Sequence, residues 1–284
     1  MAVLEYDKRG HTVVMTLNRP ERLNALSDEL YQSLATAWTE FNADDDAWLA
    51  IVTGNGRGFC AGADLKERSE TGRMAGDTPA AASTFWNAFR ESKPTIVAVN
   101  GVAAGGGNEL VVACDLAIAG ESATFGQTGP RVGSSPVFGG ANFLTHSVGE
   151  KRAKEIAFLC RRYRAQEAKE IGLINAVVPD DQLEDEVTRW AGELLALSPR
   201  YLEITKVSSN TLWNQHRDAY VHGMALLTQA IGSYDMIEGA TAFVEKRTPR
   251  FEGRDGWQNS GEARDGDGRA DDAVGDPAPT RLRT

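Results

Sequence analysis

Cysteine, histidine and methionine are all scarce in this chain of 284 residues, numbering three, four and five. The three thiols, Cys60, Cys114 and Cys160, stand far apart and make neither an even disulfide framework nor a zinc-binding spacing. That usage fits a reducing compartment, and a cytoplasmic protein is expected. Basic residues are in deficit too: 30 Lys and Arg against 40 Asp and Glu leave a net charge of −10. A chain so acidic lacks the basic face that a nucleic-acid or anionic-membrane binder needs, though a local basic pocket for a phosphorylated group stays compatible with it. Long apolar runs are missing as well. Nothing approaches the roughly 18 residues of a membrane span, and the opening MAVLEYDKRG has no extended apolar core. Neither nucleic acid nor membrane is expected as a partner.

What is present is enough to bury a core. With 42% hydrophobic residues, one main domain with a smaller appendage is the natural expectation. Val13–Leu17 reads as a strand closed by the turn Asn18-Arg19-Pro20. Leu26, Leu30, Leu34, Ala37, Trp38 and Phe41 then recur at helical steps behind Ser27, a candidate N-cap. Trp48–Thr53 reads as a buried strand, followed by a turn of small residues, Cys60-Ala61-Gly62-Ala63-Asp64, that opens onto an acidic helix start. Residues 68–80 are polar and weakly periodic and read as a loop, and Ala81–Ser92 as a helix. Past Asn142 the pattern is helical except for Ile174–Val178. Strands gather in the first half and helices in the second, which predicts an α/β core with a helical C-terminal domain. Residues 1–195 are expected to form the core and 196–252 the helical domain. Residues 253–284, rich in Gly, Asp, Arg and Pro, are expected to be a disordered tail without a catalytic role.

The chemistry concentrates around residues 96–125. The apolar run Thr95–Val99 meets Asn100-Gly101 and then three glycines, 105 to 107, after which Asn108–Ala113 has the composition of a helix or a second buried strand. Glycines at such a junction let bare backbone approach a ligand. The first N–H groups of a helix have no partner inside it and point outward at its positive end. Together they suit a developing oxyanion. Glu109 follows Gly106 by nearly one helical turn, so its carboxylate can share that face. The same residues also fit a tight connection and a carboxylate complementing the helix dipole. Upstream, the Ala61–Asp64 turn is a second junction of the same kind, and it favours the chemical reading. Phe125–Gly140, small and turn-forming throughout, is long enough to line a site.

These stretches, in this order, resemble the crotonase, or enoyl-CoA hydratase/isomerase, superfamily over roughly Val3–Phe251. The resemblance rests on Leu17-Asn18-Arg19-Pro20, Leu23-Asn24-Ala25-Leu26, Gly58-Phe59-Cys60-Ala61-Gly62-Ala63-Asp64-Leu65, Asn100-Gly101, Gly105-Gly106-Gly107, Cys114-Asp115 and Thr124-Phe125-Gly126. It implies a repeated ββα spiral core, assembly into a homotrimer or a dimer of trimers, and binding of acyl-CoA thioesters. It implies no separate cofactor and no metal, because coenzyme A arrives with the substrate. It also implies an oxyanion hole made by the amides of Ala63 and Gly106, with Glu109 as acid or base. Backbone near Ala25, Ala61 and Ala63 would hold the CoA moiety. Gly62, Asp64, Leu65, Gly107, Gln127, Thr128 and Gly129 complete the expected binding residues.

Within the superfamily the signals divide. Hydratases carry a second glutamate after the Phe-Gly-Gln, where this chain has Gly129. Phe125–Ser134 and the Val148–Arg161 segment resemble instead 1,4-dihydroxy-2-naphthoyl-CoA synthase and 2-ketocyclohexanecarboxyl-CoA hydrolase, and Tyr234 is similar to a tyrosine that those enzymes supply from a neighbouring subunit. An aromatic on a C-terminal helix is equally consistent with a plain subunit contact. Against that subgroup, Pro136 replaces an aspartate, Ala157 a tryptophan, and Glu109 an apolar residue. The expected activity is addition of water to, or its elimination from, an unsaturated acyl-CoA. Carbon–carbon bond formation or ring opening on a β-keto or cyclic acyl-CoA is the alternative, and a silent acyl-CoA-binding paralogue is a third. Cys60 and Cys114 read as packing residues, as do Trp213, Tyr220 and Met224 at helical spacing. His146 reads as a structural residue rather than a general base, and His11, His216 and His222 as surface or packing residues.

Overall fold

The computed structural model describes residues 2–72, 93–210 and 217–253. The second half of the expected 68–80 loop, the helix expected over 81–92, Trp213, His216 and the tail beyond Gly253 lie outside the described residues.

The chain alternates between two sheets. Strands β1 (Leu4–Arg9), β2 (Thr12–Leu17), β3 (Leu49–Gly54), β5 (Thr95–Val99), β7 (Leu116–Gly120) and β10 (Ala176–Val178) form a six-stranded sheet in the order β1-β2-β3-β5-β7-β10. β1 and β2 pair antiparallel as a hairpin, and every later pair is parallel. β4 (Gly58–Cys60), β6 (Val102–Ala104), β8 (Thr124–Gly126) and β9 (Arg162–Arg164) form a second, four-stranded sheet. β3, β5 and β7 are each followed by a three-residue strand in the small sheet, and the first two of these lead into a helix: α2 (Leu65–Thr71) after β4, and α3 (Gly106–Ala113) after β6. This is a ββα repeat. All five residues of β5 are buried, which is why they read as an unbroken apolar run rather than an alternation.

Helix α1 (Asp28–Ala43) starts as expected: the Ser27 hydroxyl accepts from the Leu30 amide at 3.3 Å. Its apolar stripe, Leu30, Tyr31, Leu34, Ala37, Trp38 and Phe41, is buried in the core, and each large side chain so removed from water stabilises by about 1.5–3 kcal/mol. Helix α2 runs to Thr71, so Arg68–Thr71 are helical rather than the start of a loop. The Asp64 side chain caps its first turn, and its last turn ends on Gly72 in a left-handed conformation.

The second half is helical: α4 (Leu144–Val148), α5 (Glu150–Leu159), α6 (Ala165–Glu170), α7 (Leu183–Leu195), α8 (Pro199–Ser209), α9 (Arg217–Gln229) and α10 (Tyr234–Val244). Contacts from α8 and α10 help tie this region to the rest of the fold. Lys206 of α8 is buried and pairs at 2.7 Å with Asp115, whose carboxylate also accepts from the Thr95 amide and hydroxyl, 2.8 Å each, at the start of β5. α10 lies so close to the loop after β8 that a Cβ at Gly239 would stand 2.4 Å from the carbonyl carbon of Val132, and one at Gly133 2.2 Å from the Asp235 carbonyl oxygen. Among the described residues, no helix is long and apolar enough to cross a membrane.

Candidate active site

Both small-residue junctions turn their backbones toward one another. The first runs from β4 into α2. Here Leu26 N–H donates to the Gly62 carbonyl at 2.8 Å and Asp64 N–H to the Leu26 carbonyl at 3.0 Å, leaving the intervening Ala63 amide out of that ladder. The second runs from β6 into α3, where Gly105, at φ 52°, breaks the strand and Gly106 opens the helix. Gly105 N–H donates to the Gly126 carbonyl at 3.0 Å and Glu109 N–H to that of Gly105 at 3.0 Å. No acceptor for the Gly106 amide is found among the described residues, as befits the first turn of a helix. The junctions touch: a Cβ at Gly62 would lie 2.7 Å from the Ala104 carbonyl oxygen and 3.4 Å from the Gly106 nitrogen.

Between them lies a cavity of about 60 Å³, walled by Ala61, Ala63 and Leu65 of the first junction, Gly105, Gly106 and Glu109 of the second, and Gln127, Thr128 and Gly129 of the loop after β8. The volume suits a few water molecules or the reacting end of a larger ligand. Tyr31 and Arg68, from α1 and α2, and Val132, Ser134, Ser135, Pro136 and Phe138 close the wall. Beyond Ser134 and Ser135 a larger hollow of about 410 Å³ opens toward α9 and α10, lined among others by Leu226, Leu227, Ala230 and Met236.

Glu109 is the carboxylate of the cavity wall. It is 3% exposed, and burial pushes its carboxyl up to about 7, even though the Gly140 and Phe138 amides donate to it and favour the charged form. The Gly140 amide stands 3.1 Å from Oε1. A carboxyl with that value exists in comparable amounts as acid and as base near neutrality, the condition for proton transfer in both directions. Burial also pushes the thiols of Cys60 and Cys114 up to about 12, so neither is a ready nucleophile.

Several residues expected at the site stand elsewhere. Gly107 faces β4: a Cβ there would meet the Cys60 carbonyl oxygen at 2.1 Å, so its role is close packing. Gly62, at φ 90°, likewise allows the junctions to meet. Asp64 is occupied within the fold, accepting from the Lys66 and Glu67 amides at 3.2 Å and pairing with Arg19 at 2.9 Å. Ala25 is buried, with its carbonyl accepting from Arg19, and does not line the cavity. Tyr234 is 39% exposed at the start of α10 and does not line the cavity of its own chain. Of the packing assignments, Tyr220 is buried and Met224 packs on the core. His146 and His222 are exposed, and His11 stacks on Trp48 with ring centroids 3.6 Å apart. Sequence reasoning missed Arg68, Tyr31 and Phe138. Arg68 fell in a stretch read as polar loop, and Tyr31 and Phe138 look like any other core aromatics.

A family model described as enoyl-CoA hydratase/isomerase matches residues 7–254. The chain belongs to the enoyl-CoA hydratase/isomerase family. Its function is accordingly of the crotonase type, acting on acyl-CoA. The solved structure of an enoyl-CoA hydratase from Mycobacterium avium subsp. paratuberculosis K-10 is 29% identical, covers 88% of this chain and 98% of its own, and superposes with a TM-score of 0.80. A carnitinyl-CoA hydratase from Mycobacterium avium is 30% identical over 89% of this chain and 100% of its own, with a TM-score of 0.78. An enoyl-CoA hydratase from Bacillus anthracis is 34% identical over 88% of this chain and 99% of its own, with a TM-score of 0.69. Membership in the enoyl-CoA hydratase/isomerase family agrees with the resemblance of the sequence motifs and with the ββα repeat.

Proposed function

We propose that this chain is a lyase that adds water to, or removes it from, an α,β-unsaturated acyl-CoA, through an enolate held by the Ala63 and Gly106 amides. The observation that supports the reading is that Ala63, Gly106 and the buried Glu109 line one small cavity. As water adds to the β-carbon, the double-bond electrons move toward the thioester and charge builds on its oxygen. Two fixed donors meet that charge without reorganising, each worth about 3 kcal/mol of barrier. Glu109 takes the proton of the attacking water and returns it to the α-carbon, which a carboxyl near neutrality does readily. Ala61, Leu65, Thr128 and Gly129 line the way for the acyl and pantetheine portions. The similar structures named as hydratases support the choice of reaction. As is general for the family, the protein acts as a homo-oligomer, here proposed as a trimer or dimer of trimers in the cytoplasm, in which Tyr234 approaches a neighbouring copy.

A second reading is carbon–carbon bond chemistry on a β-keto or cyclic acyl-CoA. Its specific support is Gly129, which puts no carboxylate where a hydratase has its second, and the hydroxyls of Ser134 and Ser135 in the same wall. Incubation with a panel of enoyl-CoA and cyclic β-keto-acyl-CoA thioesters, read by mass spectrometry, separates the readings. A gain of one water on an enoyl-CoA, lost on Glu109→Gln by at least about 100-fold with CoA binding kept and falling in the parent below pH of about 7, supports the lyase. A ring-opened acid with no hydration would overturn it in favour of the second reading. No turnover of any member would leave a silent acyl-CoA-binding paralogue.

A further inference from the structure

Next to Glu109 the cavity wall contains a buried side-chain amide with no hydrogen-bond partner among the described residues. Gln127 is 0% exposed and lines the cavity, and neither its Oε1 nor its Nε2 has a hydrogen-bond partner among the described residues. An unsatisfied buried polar group costs about 1–3 kcal/mol, so an amide that the fold itself leaves unused needs an explanation from outside the fold. Its placement is specific. A Cβ at Gly140 would stand 2.2 Å from Gln127 Nε2, while the amide of the same Gly140 donates to Glu109 Oε1 at 3.1 Å. One glycine thus abuts the carboxamide and anchors the carboxylate.

We propose that Gln127 is the second holder of the reacting water, taking the place that Gly129 leaves without a carboxylate. This rests on the hydratase reading above. The water donates one hydrogen to the Glu109 carboxylate and the other to Gln127 Oε1, and an oxygen lone pair is left facing the β-carbon. The new O–Cβ bond forms as the C=C electrons shift to the thioester enolate. The proton released goes to Glu109, then to the α-carbon as the enolate collapses, and the carboxylate is regenerated. Water is the only atom source consumed.

Gln127→Met keeps the bulk of the side chain and removes both polar atoms. The expected result on an enoyl-CoA that the parent hydrates is a fall in kcat of about 30-fold or more, KM within about threefold, and a melting temperature equal to or above the parent's because the orphan amide is gone. Gln127→Glu should keep turnover within about tenfold, because an acceptor remains, and move the acid limb of the pH profile upward through repulsion of Glu109. Unchanged kcat in Gln127→Met, or kcat lost only together with melting temperature, would overturn the assignment. If Gln127→Met does not fold, an unmoved acid limb in Gln127→Glu overturns it and a raised one supports it. A parent that hydrates no enoyl-CoA overturns the hydratase reading itself, and this one with it.

Discussion

The two strand-to-helix junctions that meet at the cavity are built alike and hold their carboxylates in opposite states. At the first, Asp64 is buried, which opposes its charge, but the Arg19 guanidinium and the Glu67 amide outweigh burial and hold the carboxyl below its ordinary range. At the second, Glu109 has amides for company but no cation pairs with it among the described residues, and burial wins. One carboxylate is spent on holding backbone in place, while the other is kept able to exchange a proton. The junctions also differ in what secures them. Charge and capping fix the first, whereas the second depends on a glycine pressed against the carbonyl of Cys60. Where two turns of one shape occur in a chain, the counter-ion decides which carboxyl can still exchange a proton near neutrality.

The largest effect is expected at that glycine. Gly107→Ala puts a methyl group 2.1 Å from the Cys60 carbonyl oxygen, with backbone on both sides unable to yield, and should cost more than about 3 kcal/mol in urea unfolding or prevent folding altogether. Removing the charge at Glu109 comes next, with the opposite sign. Its carboxyl sits higher in the folded chain than the ordinary 4.5, so the stability tied to its protonation is complete below that value and disappears as pH rises through about 7. Glu109→Gln should therefore be more stable than the parent at pH 8, by something on the order of 3 kcal/mol, and match it in acid. Asp64→Asn should show the smallest change, about 1 kcal/mol less stable at neutral pH, since asparagine still caps but no longer pairs with Arg19. Because the Asp64 carboxyl is lowered on folding, its contribution is present above the ordinary 3.8 and fades as pH falls through the folded value. The Asp64→Asn deficit should shrink there. Equal pH slopes for the two variants would break the distinction between the junctions.

Much of this was legible in the letters because the elements concerned obey short-range rules. β5 reads as an apolar run because it is buried on both faces, α1 by its 3.6-residue stripe and Ser27 cap, and the junctions by their glycines and alanines. The strands of the small sheet were not legible. β4, β6, β8 and β9 have three residues each, too few for a period, and they exist only because neighbouring strands supply their partners. β1 was missed because it is an edge hairpin strand whose mostly exposed LEYDKR carries little apolar signal. At the site, Ala63, Gly106 and Glu109 could be named in advance, but the chain does not announce that Gly140, 31 residues beyond Glu109, donates to it. Nor does it announce that Arg68 turns inward to donate to the Val132 carbonyl at 3.0 Å. Those are long-range contacts, and no local pattern encodes them.

The interlock of Gly133 and Gly239 has a consequence for biosynthesis. Nascent domains acquire structure from the N-terminal end as they leave the ribosome, at about 5–20 residues per second, and both junctions are translated within the first 109 residues. The helix that braces the loop over them is not synthesised until Val244. The Glu109 carboxylate is therefore made early and enclosed late, and each new molecule passes several seconds of its synthesis with that pocket still lacking its last buttress.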